Sequence, residues 1–206
     1  RKNNIVVKNS ICYSPIKKLY RSYCKFKKGN TPFVVAKMAI SKDFYTNSKK
    51  DKWITNTFSR SRGNILRSNF DCLLTSSKTV MDDNPRFTCR IPGLEDRSPT
   101  LVILDKNLRV PLSSKIFKLS HKRKIIIFFN KINNQKIKIL RKFNTRLIKT
   151  PLNEDGKFEL EKIIKKIKLL GFSRILLESG LDLTTSFLND NLIDEFKLFI
   201  SSKKIK

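Results

Sequence analysis

The sequence predicts an α/β fold, a sheet with helices on both faces, and three observations carry that expectation. Short runs of Val, Ile, Leu and Phe recur along the 206-residue chain, with the length and composition of strands buried on both sides. Helical periods lie between several of them, so strand and helix alternate. The apolar run Cys72 to Leu74 then empties into Thr75-Ser76-Ser77-Lys78-Thr79-Val80-Met81-Asp82-Asp83-Asn84-Pro85-Arg86-Phe87-Thr88-Cys89-Arg90, dense in hydroxyls, carboxylates and arginines. Loops beyond the carboxyl ends of strands are where such folds keep their chemistry.

Taken in order, Arg1 to Gly29 stands apart. It holds one short apolar run, Ile5-Val6-Val7, then a basic stretch from Ser14 to Phe26 with a helical pattern, and Asn30-Thr31-Pro32 reads as a boundary. Strands are expected at Phe33 to Ile40, Cys72 to Leu74, Leu101 to Leu104, Ile125 to Phe129, Ile175 to Leu177 and Phe196 to Ile200. A helix capped by Thr55 or Asn56 is expected to run to about Asn69. The clearest helix has Leu160, Ile163, Ile164, Ile167 and Leu170 on one face and stops at Gly171. A further helical pattern covers Leu183 to Leu188.

A formal charge of +28 raises the possibility of a nucleic-acid partner. The Lys and Arg are spread over ordinary helix faces rather than clustered, and the phenylalanines sit in strand-like runs, so the charge reads as composition bias. No nucleic-acid partner is expected; a basic surface would still attract small phosphorylated ligands. The four cysteines, Cys12, Cys24, Cys72 and Cys89, form no CxxC pair and have one histidine, His121, to join them, so no metal is expected. Scattered thiols suit a reducing cytoplasm, and no apolar run approaches the roughly 20 residues a membrane span needs. His121 sits in Ser120-His121-Lys122-Arg123-Lys124, which reads as a solvated, charged turn.

No GxGxxG, P-loop or GxSxG occurs. Two other places can carry chemistry. In Ile175-Leu176-Leu177-Glu178-Ser179-Gly180 a strand ends in a carboxylate and a small-residue turn before a helix, whose start favours anions. Glu178 can accept from sugar hydroxyls or cap the following turn. Ahead of the second helix, Trp53 is either a core anchor or a flat surface for a nucleotide. Arg67, near that helix's end, is either a phosphate clamp or an exposed helix residue.

Pro32-Phe33-Val34-Val35-Ala36-Lys37-Met38-Ala39-Ile40-Ser41-Lys42-Asp43, Lys52-Trp53-Ile54-Thr55, the Thr79 to Arg90 loop and Leu177-Glu178-Ser179-Gly180 occur in one order, with Phe187-Leu188 and Leu192-Ile193-Asp194-Glu195 after them. This set resembles the reductase domain of the bifunctional riboflavin-biosynthesis deaminase/reductase. The resemblance implies a dihydrofolate-reductase-like mixed sheet flanked by helices over residues 31–206. Residues 1–29 would then be the tail of an upstream deaminase domain, and further strands would follow Ile200. The implied reaction is NADPH-dependent reduction of the ribosyl unit of 5-amino-6-(5-phosphoribosylamino)uracil, a phosphorylated pyrimidine, by a homodimer.

By motif match, Ala39, Trp53, Thr79 and Asp83 fall at NADPH positions, and Gly180, Leu181, Asp182, Leu183, Thr184, Thr185 and Ser186 form the turn and helix start receiving its phosphates. Arg67, Phe87, Arg90 and Glu178 fall at substrate positions, and Asp83 is the expected catalytic acid. Asp51 stands where the family carries a substrate-contacting Ser, and Lys106 replaces a small polar residue in a way that favours the 2′-phosphate of NADPH. The family's Ser-Leu-Asp-Gly turn is Ser41-Lys42-Asp43-Phe44 here. The departures at Phe44 and Asp51 keep open an alternative: a catalytically weakened relative that binds nucleotide and supports a deaminase domain.

Overall fold

This computed structural model describes residues 6, 8, 11–46 and 54–205. Ile5 and Val7 of the short apolar run near the start of the chain, Asp51, Lys52 and Trp53 lie outside the described residues. The strands are β1 (Phe33–Ile40), β2 (Cys72–Ser76), β3 (Thr100–Leu104), β4 (Ile125–Phe129), β5 (Thr145–Lys149), β6 (Arg174–Leu177) and β7 (Glu195–Ile200). The helices are α1 (Tyr13–Lys28), α2 (Thr57–Ser68), α3 (Ser77–Asp83), α4 (Lys115–Lys118), α5 (Asn134–Leu140), α6 (Leu160–Leu169) and α7 (Leu181–Asn189).

The strands form one seven-stranded sheet in the order β5-β4-β3-β2-β6-β1-β7. A mixed sheet was expected; among the described residues every pairing is parallel. The cause is the connections, since a helix separates each strand from the next and such crossovers return the chain in the same direction. All carboxyl ends therefore lie along one edge. The strand order turns back at β2-β6-β1, and that reversal opens a crevice above the edge.

Alternation along the strands divides the core in two. Val35, Leu73, Leu101, Ile103, Ile125, Ile127 and Leu176 point to one face and pack with Val80 of α3, Ile116 and Phe117 of α4 and Leu140 of α5. Val34, Ala36, Cys72, Leu74, Val102, Ile126, Ile175 and Leu177 point to the other, under Leu160, Ile163, Ile164 and Ile167 of α6 and Phe187 of α7. Both strand faces are apolar because both are covered, hence the unbroken Val/Ile/Leu runs.

α2 starts as its sequence dictates, with the Asn56 side chain accepting from the Ser59 amide at 2.9 Å. α6 ends at Gly171, whose φ of 94° is the left-handed conformation that glycine adopts without cost. α1 is periodic but buries nothing. It is tethered by polar contacts: Lys25 Nζ to an Asp194 carboxylate oxygen at 2.5 Å and Arg21 to the Asp194 carbonyl at 3.1 Å. β5, α4 and α5 were not anticipated, and the segment after β2, expected as a loop, opens as α3, whose first turn is capped by the Ser76 hydroxyl accepting from the Thr79 amide at 3.2 Å. β5 is an edge strand, only partly buried and carrying Arg146 and Lys149, so it lacks the apolar run that marks the others.

Candidate active site at the carboxyl edge of the sheet

The crevice has a volume of about 1600 Å³ and is open to solvent. Four strand ends build its floor. β1 supplies Lys37, Met38 and Ala39; β2 and α3 supply Ser76, Ser77, Thr79 and Asp83; β3 supplies Leu104 and, just beyond it, Lys106; β6 delivers Glu178, Ser179 and Gly180. Residues 153–161 form one wall, and the first turns of α7, through Leu181, Asp182, Leu183 and Ser186, form another.

Glu178 is the most constrained of these groups. Both its oxygens are taken by Arg67, whose Nε and Nη2 donate at 2.7 and 2.8 Å. The pair is nearly dry, with side-chain exposures of 13% for Arg67 and 8% for Glu178. A fork-to-fork arrangement is the geometry in which a buried ion pair best offsets its desolvation. Burial alone would raise the Glu178 pKa; the Arg67 guanidinium, with smaller contributions from Lys37 and Arg90, overcomes burial and holds it below the ordinary value. Arg67 is correspondingly held above its ordinary value by Glu178, against burial. Arg67 is thus neither an exposed helix residue nor a free phosphate clamp, and Glu178 does not cap the turn after it.

The Thr88 carbonyl accepts from Arg67 Nη1 at 3.3 Å and from Arg90 at 3.4 Å. Arg90 is held below its ordinary value by burial and by the neighbouring Arg67 and Arg86. Phe87 is buried and borders the crevice, and the Arg67 guanidinium sits 5.9 Å from its ring centroid.

The opposite side is built from hydroxyls and backbone. The Thr79 hydroxyl accepts from the Gly180 amide at 3.1 Å and lies 2.9 Å from the Ser76 hydroxyl, tying the ends of β2 and β6 together. α7 has no side chain capping its first turn, so its leading amides are presented to the crevice. Its Thr184 hydroxyl is buried and 3.1 Å from that of Ser179. Thr185 is exposed and does not line the crevice. A β-carbon at Gly180 would come no nearer than 3.9 Å to Thr79, so space alone does not demand glycine there.

Asp83 sits at the end of α3, its carboxyl raised above the ordinary range by burial and by Asp82, with Lys78 opposing. Lys106 reaches across to the Gly156 carbonyl at 2.9 Å. No group of three or more His, Cys, Asp or Glu able to hold a metal occurs among the described residues.

The structure adds Lys37, which the motif reading passed over as a strand residue. Its signal was present: a single cation inside the otherwise apolar run Phe33 to Ile40. The 153–161 wall carried no such signal.

Residues 32–205 match the family model described as the RibD C-terminal domain. The chain belongs to that family. It is 30% identical over 205 residues to the riboflavin biosynthesis protein RibD of Aquifex aeolicus, covering 98% of this chain and 55% of that protein. Acinetobacter baumannii RibD superposes with a TM-score of 0.79 at 22% identity, over 98% of this chain and 55% of that one. A diaminohydroxyphosphoribosylaminopyrimidine deaminase/5-amino-6-(5-phosphoribosylamino)uracil reductase from Thermotoga maritima gives a TM-score of 0.75 at 22% identity, over 95% and 52%. These likenesses establish the fold as that of the RibD C-terminal domain, and the chain spans about half the length of the relatives it matches.

Proposed function

We propose that this chain reduces the ribosyl group of 5-amino-6-(5-phosphoribosylamino)uracil to the ribityl chain, with NADPH as reductant, in riboflavin biosynthesis. The observation that carries the reading is the juxtaposition, at one sheet edge, of the buried Glu178–Arg67 pair and the uncapped start of α7. The Thermotoga maritima relative is named as this uracil reductase. A relative from Archaeoglobus fulgidus, 24% identical over 143 residues, is named 2,5-diamino-6-ribosylamino-4(3H)-pyrimidinone 5′-phosphate reductase.

The donor set suits a dinucleotide. The leading amides of α7 suit a pyrophosphate, Ala39, Thr79 and Asp83 border the nicotinamide side, and Lys106 suits a 2′-phosphate. When bound, NADPH supplies the hydride that reduces the electrophilic C1 of the ring-opened sugar. Glu178, kept ionised by Arg67, accepts from substrate hydroxyls or ring N–H groups. Lys37, within electrostatic reach of Glu178, can donate to sugar oxygens. Arg90 offers its charge to the substrate phosphate. Asp83, whose carboxyl is pushed upward by burial and by Asp82, stands as the acidic group beside the reacting centre; Asp83→Asn with undiminished turnover would remove it from that role.

A second reading rests on Phe44: a relative that binds nucleotide without efficient turnover, because the glycine turn after β1 has become a bulky residue. Mixing the chain with NADPH and the uracil substrate and following nicotinamide absorbance separates the two, with Arg90→Ala as control. Oxidation that the control loses establishes the reductase; NADPH binding without oxidation favours the second reading. We also assign residues 1–29 to the tail of a deaminase domain, an assignment supported by α1 burying nothing, and we infer a cytoplasmic homodimer, which light scattering tests. No helix among the described residues is long and apolar enough to cross a membrane.

A further inference from the structure

Arg123 belongs to none of the motifs above, and its surroundings in sequence read as a solvated turn. It is instead buried, at 5% exposure. Among the described residues its guanidinium meets no carboxylate. Nη1 donates to the Phe87 carbonyl at 2.6 Å, Nη2 donates to the Arg86 carbonyl, and Nε has no acceptor among the described residues. Burying a cation without a counter-ion is expensive; burial draws its pKa down to about 10. A turn leading into β4 needs no such residue.

What Arg123 touches gives the reason. The chain leaves α3 through two left-handed residues, Asn84 at φ 41° and Phe87 at φ 54°. Asparagine tolerates that conformation, whereas for a bulky side chain it is strained and persists only when the surroundings impose it. The two carbonyls held by Arg123 are those of Arg86 and Phe87, on either side of the strained backbone. The next carbonyl, Thr88, is held by Arg67 and Arg90. Three consecutive carbonyls are thus fixed by guanidinium groups, and the residue they flank, Phe87, borders the crevice with its ring 5.9 Å from the guanidinium of the Arg67 that binds Glu178.

We propose that Arg123 is a positioning residue for the substrate side of the crevice: by fixing the Arg86 and Phe87 carbonyls it sets the Phe87 ring against Arg67, and so sets Glu178, without touching substrate. The kinetic part of this inference rests on the reductase reading; the structural part does not.

The test compares wild type, Arg123→Met and Arg123→Lys by amide hydrogen exchange, NADPH binding and steady-state kinetics. Expected for Arg123→Met is faster exchange confined to residues 84–90, a KM for the phosphorylated pyrimidine raised about tenfold or more, and unchanged NADPH affinity. Lysine keeps the charge and can reach one carbonyl, so it should recover part of the KM. Unchanged exchange at 84–90 overturns the proposal. So does a uniform loss of protection and NADPH affinity together with KM, which would make Arg123 an ordinary core support. If Arg123→Met does not fold, Arg123→Lys decides alone, and a wild-type KM there overturns the proposal. If wild type shows no turnover, the reductase reading falls and the exchange pattern still decides whether Arg123 holds the loop.

Discussion

The two sides of the crevice are made from different materials. On one side, Glu178 and Arg67 form a desolvated ion pair, and Arg67 also donates to the Thr88 carbonyl of the 84–90 loop. On the other, the Thr79 hydroxyl and the Gly180 amide are bonded to each other and the start of α7 presents neutral amides, groups whose worth does not depend on a distant charge. Charge pairs in a dry site give sharp orientation but fail badly when one member is lost, whereas a neutral hydroxyl or amide can be lost at modest cost.

Breaking the pair is the largest test of that contrast. Arg67→Met strands an ionised carboxylate in the interior and should cost about 3–5 kcal/mol of stability, read by denaturant unfolding, with turnover lost. The double variant Arg67→Met/Glu178→Leu should recover most of that stability and none of the activity. A double variant as unstable as the single one would show that shape, not charge, holds this side. pH probes the same pair. The folded-state pKa of Glu178 lies below its unfolded value, near 4.5, so its contribution is present above that value and is lost as pH falls through the lower folded value. Glu178→Gln should start less stable and show a flatter acid limb in thermal melts between pH 3 and pH 6, taken as about the window of interest.

Thr79→Val probes the neutral side. Loss of one hydrogen bond, worth about 1 kcal/mol, should weaken NADPH binding roughly fivefold, measured by fluorescence titration, and leave the pyrimidine KM alone. A larger rise in KM than in the cofactor Kd would mean that the two sides are coupled.

The smallest expected effect concerns the turn after β1. Phe44 has a φ of 66°, a conformation that glycine adopts more readily, and is 76% exposed, and its amide donates to the Ser41 carbonyl at 3.0 Å. The turn survives because Ser41 holds it from both ends, through its own amide to the Tyr45 carbonyl and its hydroxyl to the Tyr45 amide. Phe44→Gly should raise stability by about 1 kcal/mol, with activity unchanged or higher. A drop in stability would mean that the ring packs in a way its exposure hides.

Legibility followed locality. β1, α2 and α6 were readable because strand composition, the Asn56 cap and the Gly171 stop are properties of neighbouring residues. β5 and α5 were not, since edge elements need only half a core face and theirs is interrupted by Arg and Lys. α1 and α6 share a helical pattern, but α6 buries Leu160, Ile163, Ile164 and Ile167 while α1 buries none. Periodicity states that a face exists and says nothing of what covers it.

The same division holds at the site. The amino-acid order alone determined that a carboxylate would end β6, that a polar segment would follow β2 and that a helix would start beside Gly180, because breakers, caps and runs act over a few residues; that the polar segment begins as a helix, α3, was not legible. Only the tertiary structure decided that Glu178 meets Arg67, 111 positions away, that Arg123 leaves its charged turn for the interior, and that Lys37 faces the crevice. Those outcomes depend on which strands become neighbours, and strand order is set by the packing of the whole sheet.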